Sequence, residues 1–127
     1  MATRSEITVN ELNGAWADRA APDAIDKSNH HYIAAGANFK RLLILVHISA
    51  GTGTGGAVTL KAGTAHPAFR RGLGDLVRGD DVVANDEFCI GPIETARYLQ
   101  ADGTIHIDIT DTTGTNIAGT IEAYALP

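Results

Sequence analysis

The five histidines are the side chains in this sequence best suited to bind a metal ion. His30 and His31 are adjacent, so on a strand they point to opposite faces and cannot easily share one ion. His106 precedes Asp108 by two residues, which places both side chains on one strand face and supplies two ligands of a metal site. Because the other two histidines lie in separate segments, we interpret this pair as part of a solvated strand face. We expect no metal and no other cofactor.

A glycine-rich segment, GTGTGG at residues 51–56, matches the GxGxxG pattern of dinucleotide-binding loops. In such loops a helix begins directly after the glycines and presents free backbone N–H groups to pyrophosphate. Residues 57–61 continue as AVTLK, which alternates like a strand, and no Lys-Ser or Lys-Thr follows to form a Walker A loop. We therefore predict a hairpin loop, in which glycine supplies the positive φ of tight turns.

Catalytic side chains form no recognisable constellation in the sequence. Cys89 lies in an apolar stretch between a phenylalanine and an isoleucine, which favours a buried, inert thiol. The acidic pairs at 80–81 and 86–87 stand beside glycine or asparagine, which is the setting of carboxylates that cap turns. The GxSxG motif of serine hydrolases is absent. We therefore predict that the protein is not an enzyme.

Hydrophobic residues recur with a period of two over most of the chain, which predicts β-strands. The clearest strand covers residues 104–111, where Ile105, Ile107 and Ile109 alternate with polar residues. Residues 40–49, KRLLILVHIS, are apolar at nearly every position, which favours a strand at the centre of the fold. The remaining predicted strands cover residues 6–12, 31–35, 56–62, 76–77 with 82–83, 87–90, 96–100 and 117–124.

Turn-forming residues separate these segments at a spacing of roughly 8–12 residues, which is typical of a sandwich. Asp102-Gly103 is a hairpin signal, and Gly91-Pro92 indicates a break. Residues 14–24 are rich in alanine, but a proline interrupts them, so we expect a loop. The sequence predicts an all-β, single-domain β-sandwich or jelly roll of about eight short antiparallel strands. It spans residues 1–127, with an extended N-terminal arm over residues 1–6.

Composition limits the classes of partner. Ten Lys and Arg residues against 15 Asp and Glu give a formal charge of -5, so the chain lacks the positive field of a nucleic-acid binder. The longest strictly apolar run is residues 42–46, far shorter than the roughly 20 residues of a bilayer helix. We expect no direct nucleic-acid partner and no membrane partner. Since 20 of the apolar residues are alanine, the core should be thin, and contacts between copies would help to stabilise it.

Two groups of residues are candidates for contact with a partner. The first belongs to the polar N-terminal arm, which we expect to order on docking. The second is a cluster of arginines in an irregular part of the chain, which favours an acidic partner surface. The candidates are Thr3, Arg4 and Glu6 in the first group and Arg70, Arg71 and Arg78 in the second.

Three stretches, residues 2–12, 24–35 and 91–108, carry a likeness that extends over most of the chain. Through them the sequence resembles the capsid decoration, or cement, proteins of tailed phages of actinobacteria. The resemblance implies a β-sandwich or jelly-roll subunit that binds the outside of an assembled capsid and has no catalytic role. Its implied partners are the major capsid protein and further copies of itself, often as a homotrimer. It implies a place in the virion, on the capsid exterior, after synthesis in the host cytoplasm.

Two other functions stay open at the level of sequence. A tail or head-tail connector protein would have a similar β-rich sequence but would assemble into rings or tubes. A small sugar-binding or cupin-like β-sandwich would use His106 and Asp108 with His30 or His31. Such sites need aromatic platforms or clustered ligands, and the chain supplies one Trp and three Tyr.

Overall fold

A computed structural model describes residues 3–12, 19–34, 39–50, 56–64, 74–78, 82, 84–110 and 117–127. These residues form ten β-strands and a short 3-10 helix at Thr95–Arg97. The strands are β1 (Ser5–Glu6), β2 (Val9–Glu11), β3 (Asp23–Ala24), β4 (His31–Ile33), β5 (Arg41–Ala50), β6 (Ala57–Leu60), β7 (Leu76–Arg78), β8 (Glu87–Glu94), β9 (Ile105–Thr110) and β10 (Ala118–Leu126). Within the described ranges, no helix is long and apolar enough to cross a bilayer.

The strands pair into two sheets that form a β-sandwich. Sheet 1 has the order β1-β4-β9-β6-β7, and sheet 2 has the order β2-β10-β5-β8, with β3 also paired to β10. Most neighbouring strands are antiparallel, but β1 lies parallel to β4 and β2 lies parallel to β10. Because β1 and β2 are at the edges of different sheets, residues 7–8 carry the chain from one sheet to the other.

Alternating side chains build the core between the two sheets. Along β5 and β9, successive residues point to opposite faces, and those on the inner face are buried. Most of them are β-branched, and such side chains pack well on a pleated surface. The buried apolar residues are Ile7, Ile33, Leu42, Ile44, Val46, Ile48, Val58, Leu60, Val82, Ile90, Ile93, Ile105, Ile107, Ile109, Ile117, Ile121, Ala123 and Ala125.

The all-β sandwich predicted from the sequence is confirmed, but the prediction that all strands are antiparallel is wrong at the N-terminus. The sequence predicts one strand over residues 6–12, and the structure has two short strands that pair in parallel with strands of different sheets. The backbone is extended on both sides of Ile7, and nothing in the local sequence marks the change of sheet there. The strand count therefore rises to ten among the described residues.

The strands on either side of the glycine-rich segment do not pair with each other. The strand before it, β5, belongs to sheet 2, and the strand after it, β6, belongs to sheet 1. Residues 51–55 themselves lie outside the described residues. The strand predicted directly after the glycines, in place of a helix, is confirmed.

The region around residue 91 differs from the prediction of a break. β8 continues through Gly91-Pro92, whose peptide bond is cis. β8 is an edge strand of sheet 2, and an edge is where a strand tolerates proline, which has no N–H to donate. Periodicity did not reveal this, because Gly-Pro is more often a turn.

The chain between β8 and β9 holds one confirmed and one wrong prediction. Residues 96–100 do not form a strand; they contain the end of the 3-10 helix and a single bridge from Leu99 to Ile105. The turn at Asp102-Gly103 is confirmed. Gly103 has a φ of 86°, and its N–H donates to the carbonyl of Gln100 at 2.9 Å.

Two predictions fall partly outside the described residues. Val82 is buried but belongs to no strand. Val83, the other residue of the segment predicted over residues 82–83, lies outside the described residues. Residues 14–18 of the loop predicted over residues 14–24 also lie outside them.

Candidate interaction surfaces

The outer face of sheet 1 is mostly polar, and many of its charges are paired, although Val77 at the β7 edge, opposite Thr59, is apolar and 54% exposed. One row across the strands contains Glu6, Tyr32, His106 and Lys61. Tyr32 donates a hydrogen bond to Glu6 at 3.2 Å, and the negative charge of Glu6 raises the pKa of Tyr32. Lys61 lies 2.8 Å from Asp75. This face therefore presents hydrogen-bonded and ion-paired groups to water.

Arg4 links β1 to β9 on the same sheet. Its Nη1 lies 2.6 Å from Oδ1 of Asp108 and donates to the backbone carbonyl of His31 at 3.1 Å. The two side chains are 25% and 21% exposed. Because partial burial reduces screening by solvent, this pair is stronger than a fully exposed one.

His106 and Asp108 lie on one strand face, as the alternation predicts, but they have different partners. Asp108 binds Arg4, whereas Nε2 of His106 lies 3.2 Å from the hydroxyl of Thr104. Burial lowers the pKa of His106. Within the part of the chain that the structure describes, no three or more His, Cys, Asp or Glu side chains are grouped to hold a metal ion.

The outer face of sheet 2 has apolar side chains at its centre. Leu43 and Leu45 occupy outward positions of β5, which has β10 on one side and β8 on the other. Tyr124 lies opposite Leu43, and Cys89 lies opposite Leu45. We call these four residues the apolar stripe. Three of them are half-buried and Cys89 is exposed.

A groove of about 390 Å³ lies over one end of the apolar stripe. Its lining includes Leu45 and Cys89, together with the polar residues His47, Glu87 and Glu122. Nδ1 of His47 lies 2.9 Å from Oε1 of Glu87. The groove thus combines apolar residues with a polar border, as the centre and rim of protein interfaces do.

The prediction of a buried thiol at Cys89 is wrong, because the side chain is exposed. In β8, Ile90 is buried and Cys89 points to the opposite face. A run of three apolar residues does not show which of them faces the core. The environment of this cysteine was therefore decided by strand register, which the local sequence does not encode.

The first described residues lie against sheet 1. The N–H of Ser5 donates to the carbonyl of His30, and the N–H of Ile7 donates to the carbonyl of Tyr32, both at 2.9 Å. Thr3 is exposed, but from Arg4 onward this segment differs from a projecting arm. The part of the predicted arm that the structure describes is largely an edge strand.

Asp26 organises the turn that precedes β4. Its Oδ1 accepts hydrogen bonds from the backbone N–H groups of Ser28 and Asn29, each at 3.0 Å. Its Oδ2 accepts one from the hydroxyl of Ser5 at 2.5 Å. These bonds, the one from Ser5 above all, lower the pKa of Asp26 to about 2. The carboxylate therefore ties the N-terminal strand to the turn.

Sequence reasoning did not identify Asp26 as a structural centre. The spacing Asp-x-x-Asn from residue 26 to residue 29 is a local signal for an Asx turn, and it could have indicated the backbone contacts. The contact with Ser5 spans 21 residues and has no local signal.

The structure separates the two groups of predicted contact residues. Arg4 and Glu6 lie at the β1 edge of sheet 1, whereas Arg78 lies on β7 at the opposite edge. The guanidinium of Arg78 stands 5.2 Å from the ring centroid of Phe88 and 3.7 Å from Asp86. Its charge is therefore already engaged within the chain.

The other two arginines of the predicted basic patch, Arg70 and Arg71, lie outside the described residues. The basic patch therefore stays a prediction from the sequence.

No family model matches the chain, and no curated protein and no solved structure is similar enough to match it. The functional conclusion therefore depends on the sequence and on the two outer faces of the sandwich.

Proposed function

We propose that this chain is a non-enzymatic virion protein of a tailed phage that binds the outside of the assembled capsid and stabilises it. Its partners are the major capsid protein and further copies of the chain. The resemblance to capsid decoration proteins and the β-sandwich fold support this proposal. The observation that carries it is the contrast between the outer faces of sheet 1 and sheet 2, since a protein that coats a particle needs one surface for binding and another for water.

Sheet 2 is the face that we assign to the capsid. Binding would remove water from the apolar stripe, and the burial of apolar surface is the main favourable term in association. The polar residues around the stripe would fix the orientation of the contact. The outer face of sheet 1 would stay hydrated, because desolvating its ion pairs costs free energy that new contacts must offset.

Stabilisation of the particle follows from this mode of binding. A protein that binds the assembled shell, but not separated shell subunits, shifts the equilibrium toward the assembled state by mass action. Contacts between copies on the capsid would add to this effect, because each copy would hold its neighbour in place.

The test uses purified heads that lack this protein and two matched variants of the chain. Leu45→Lys and Thr59→Lys each place a lysine at a half-buried, outward position of a strand with neighbours on both sides. Leu45 belongs to the apolar stripe, whereas Thr59 lies on the polar face of sheet 1, opposite Asp108. We expect Leu45→Lys to weaken binding by at least about tenfold, while Thr59→Lys binds like the wild type.

The wild-type protein should also raise the resistance of the heads to heat, and sedimentation should show a small oligomer. Failure of the wild type to bind heads would reject the proposed function. Loss of binding in Thr59→Lys but not in Leu45→Lys would reject only the assigned face. Rings or tubes of the isolated protein in electron micrographs would favour a tail or connector role.

A further inference from the structure

The N-terminal segment is held by side chains that change their charge with pH. We call residues 4–8 the N-terminal strap. Three carboxylates bind it, each through a different residue. The pairs are Arg4 with Asp108 at 2.6 Å, Ser5 with Asp26 at 2.5 Å, and the N–H of Thr8 with Asp23 at 2.7 Å.

A buried histidine lies on β4, the strand that pairs with the strap. His31 pairs with Ser5 in the register between β1 and β4, and its side chain is fully buried. Its Nε2 accepts a hydrogen bond from the N–H of Asp26 at 2.9 Å, so the ring is neutral and its proton is on Nδ1. Among the described residues, Nδ1 has no hydrogen-bond partner of normal geometry, although the backbone of Ser5 lies close enough to favour the charged ring. The hydrogen bond from Asp26 is made only by the neutral ring.

We propose that His31 is an acid-sensitive latch, and that its protonation releases the N-terminal strap from β4. A second proton would have to enter on Nε2, where it would meet the N–H of Asp26, another donor. The bond would be lost, and Asp26 would be displaced together with its contact to Ser5. The imidazolium would gain water only when β1, which covers this edge of β4, moves away.

The charged groups around His31 lie on the strap, on β3, on the turn before β4 and on β9. Burial lowers the pKa of His31, and the Ser5 backbone and the carboxylates of Asp26 and Asp23 oppose this shift without reversing it. His30 adds to the lowering. Both carboxylates are already occupied by hydrogen bonds from the strap. The guanidinium of Arg4, bound to the carbonyl of His31 and to Asp108, adds positive charge nearby.

The direction of the pH effect follows from the lowered pKa. The released strap leaves His31 hydrated, with a pKa near the ordinary value of about 6.5, so the released form binds the proton more tightly. Closure is complete above about pH 6.5 and is lost as the pH falls below that value. The carboxylate contribution lies in a separate window, because the pKa of Asp26 is about 2. It is present above the ordinary Asp value of about 3.9 and is lost only as the pH falls toward 2.

Hydrogen exchange in the wild-type protein tests the latch without any substitution. The amides of Ile7 and Thr8 report the strap, and the amide of the buried Ile48 in β5, which donates to the carbonyl of Asp86 at 2.8 Å, reports the core. After correction for intrinsic rates, we expect the protection of Ile7 and Thr8 to fall at least about tenfold between about pH 7.5 and about pH 5. Ile48 should keep its protection. Constant protection of Ile7, or an equal loss at Ile48, would overturn the proposal.

Two neighbouring histidines provide matched variants. His31→Gln keeps a side-chain acceptor near the position of Nε2 for the N–H of Asp26 but does not titrate, so the pH response of Ile7 should disappear. His30→Asn is the control, because His30 has a φ of 64° and asparagine tolerates this conformation. It should keep the response. If the pH response disappeared in the His30 variant and persisted in the His31 variant, His31 would not be the latch. The inference does not depend on the proposed function.

Discussion

The outer faces of the two sheets differ in the polarity of the side chains at their centres. On sheet 1, outward residues such as Tyr32, Lys61 and Asp108 each have a polar partner on a neighbouring strand or loop. On sheet 2, the central strand points Leu43 and Leu45 outward. The inner faces do not differ in this way, because both are lined by branched aliphatic residues. The two outer faces therefore differ at their centres, where sheet 1 is polar and sheet 2 is apolar, whereas the β7 edge of sheet 1 also exposes Val77.

The contrast is already visible in two strand sequences. β9 reads IHIDIT, and every outward position is polar. β5 reads RLLILVHISA, and in its first half both the inward and the outward positions are mostly apolar. A strand that is apolar on both sides is typical of one covered on both faces. Among the described residues, the second face of β5 has no covering layer of strands, which is why we assign it to a partner.

The largest expected effect comes from the inner faces, where the two sheets should behave alike. Ile44 on sheet 2 and Ile107 on sheet 1 are both fully buried. Truncating either to alanine removes three carbons from a packed core, and each variant should lose about 2–5 kcal/mol of unfolding free energy. Chemical denaturation of both variants measures this loss.

The conservative changes Ile44→Val and Ile107→Val provide the control and should cost about 0.5–1.5 kcal/mol each. A small loss for Ile44→Ala beside a large loss for Ile107→Ala would mean that sheet 2 is loosely packed on both faces. The comparison would then be one of stability and not of exposure to water.

A smaller effect separates the ion pairs of the two faces. Arg4 on sheet 1 is three-quarters buried and binds both Asp108 and a backbone carbonyl, whereas Arg19 at sheet 2 is 59% exposed and lies 3.4 Å from Glu122. Arg4→Ala leaves a partly buried carboxylate without its partner, so it should cost about 1–2 kcal/mol. Arg19→Ala should cost clearly less, because the guanidinium of Arg19 is mostly exposed and Glu122, although only 13% exposed, keeps the hydrogen bond from Tyr124 at 2.7 Å. Equal losses in thermal or chemical unfolding would contradict the contrast.

The sequence predicted the elements of the fold better than their assembly. Strands such as β5, β6 and β9 lie close to their predicted ranges, because alternation reports directly on a buried face. The parallel pairing of β1 with β4 and of β2 with β10 was not predicted, and neither was the placement of β5 and β6 in different sheets. Which sheet a strand joins depends on contacts distant in the chain, and a turn signal does not specify its destination.

In the candidate sites, too, local features could be predicted and contacts distant in the chain could not. The shared face of His106 and Asp108 could be predicted from a spacing of two residues. The partner of Asp108 could not, because Arg4 lies 104 residues away in the chain. The same holds for His31, whose burial follows from strand pairing, whereas its bond to Asp26 depends on the shape of the turn before β4.

The smallest expected effect concerns Cys89, the exposed member of the apolar stripe, and it tests the contrast most directly. Because its side chain points to water, Cys89→Ser should change the unfolding free energy by no more than about 0.5 kcal/mol. The thiol of the native protein should react with iodoacetamide almost as fast as that of the denatured protein. A thiol that reacts only after denaturation would mean that the outer face of sheet 2 is already covered in the free protein. In that case the two faces would both be adapted, one to water and the other to a layer present before any capsid is bound.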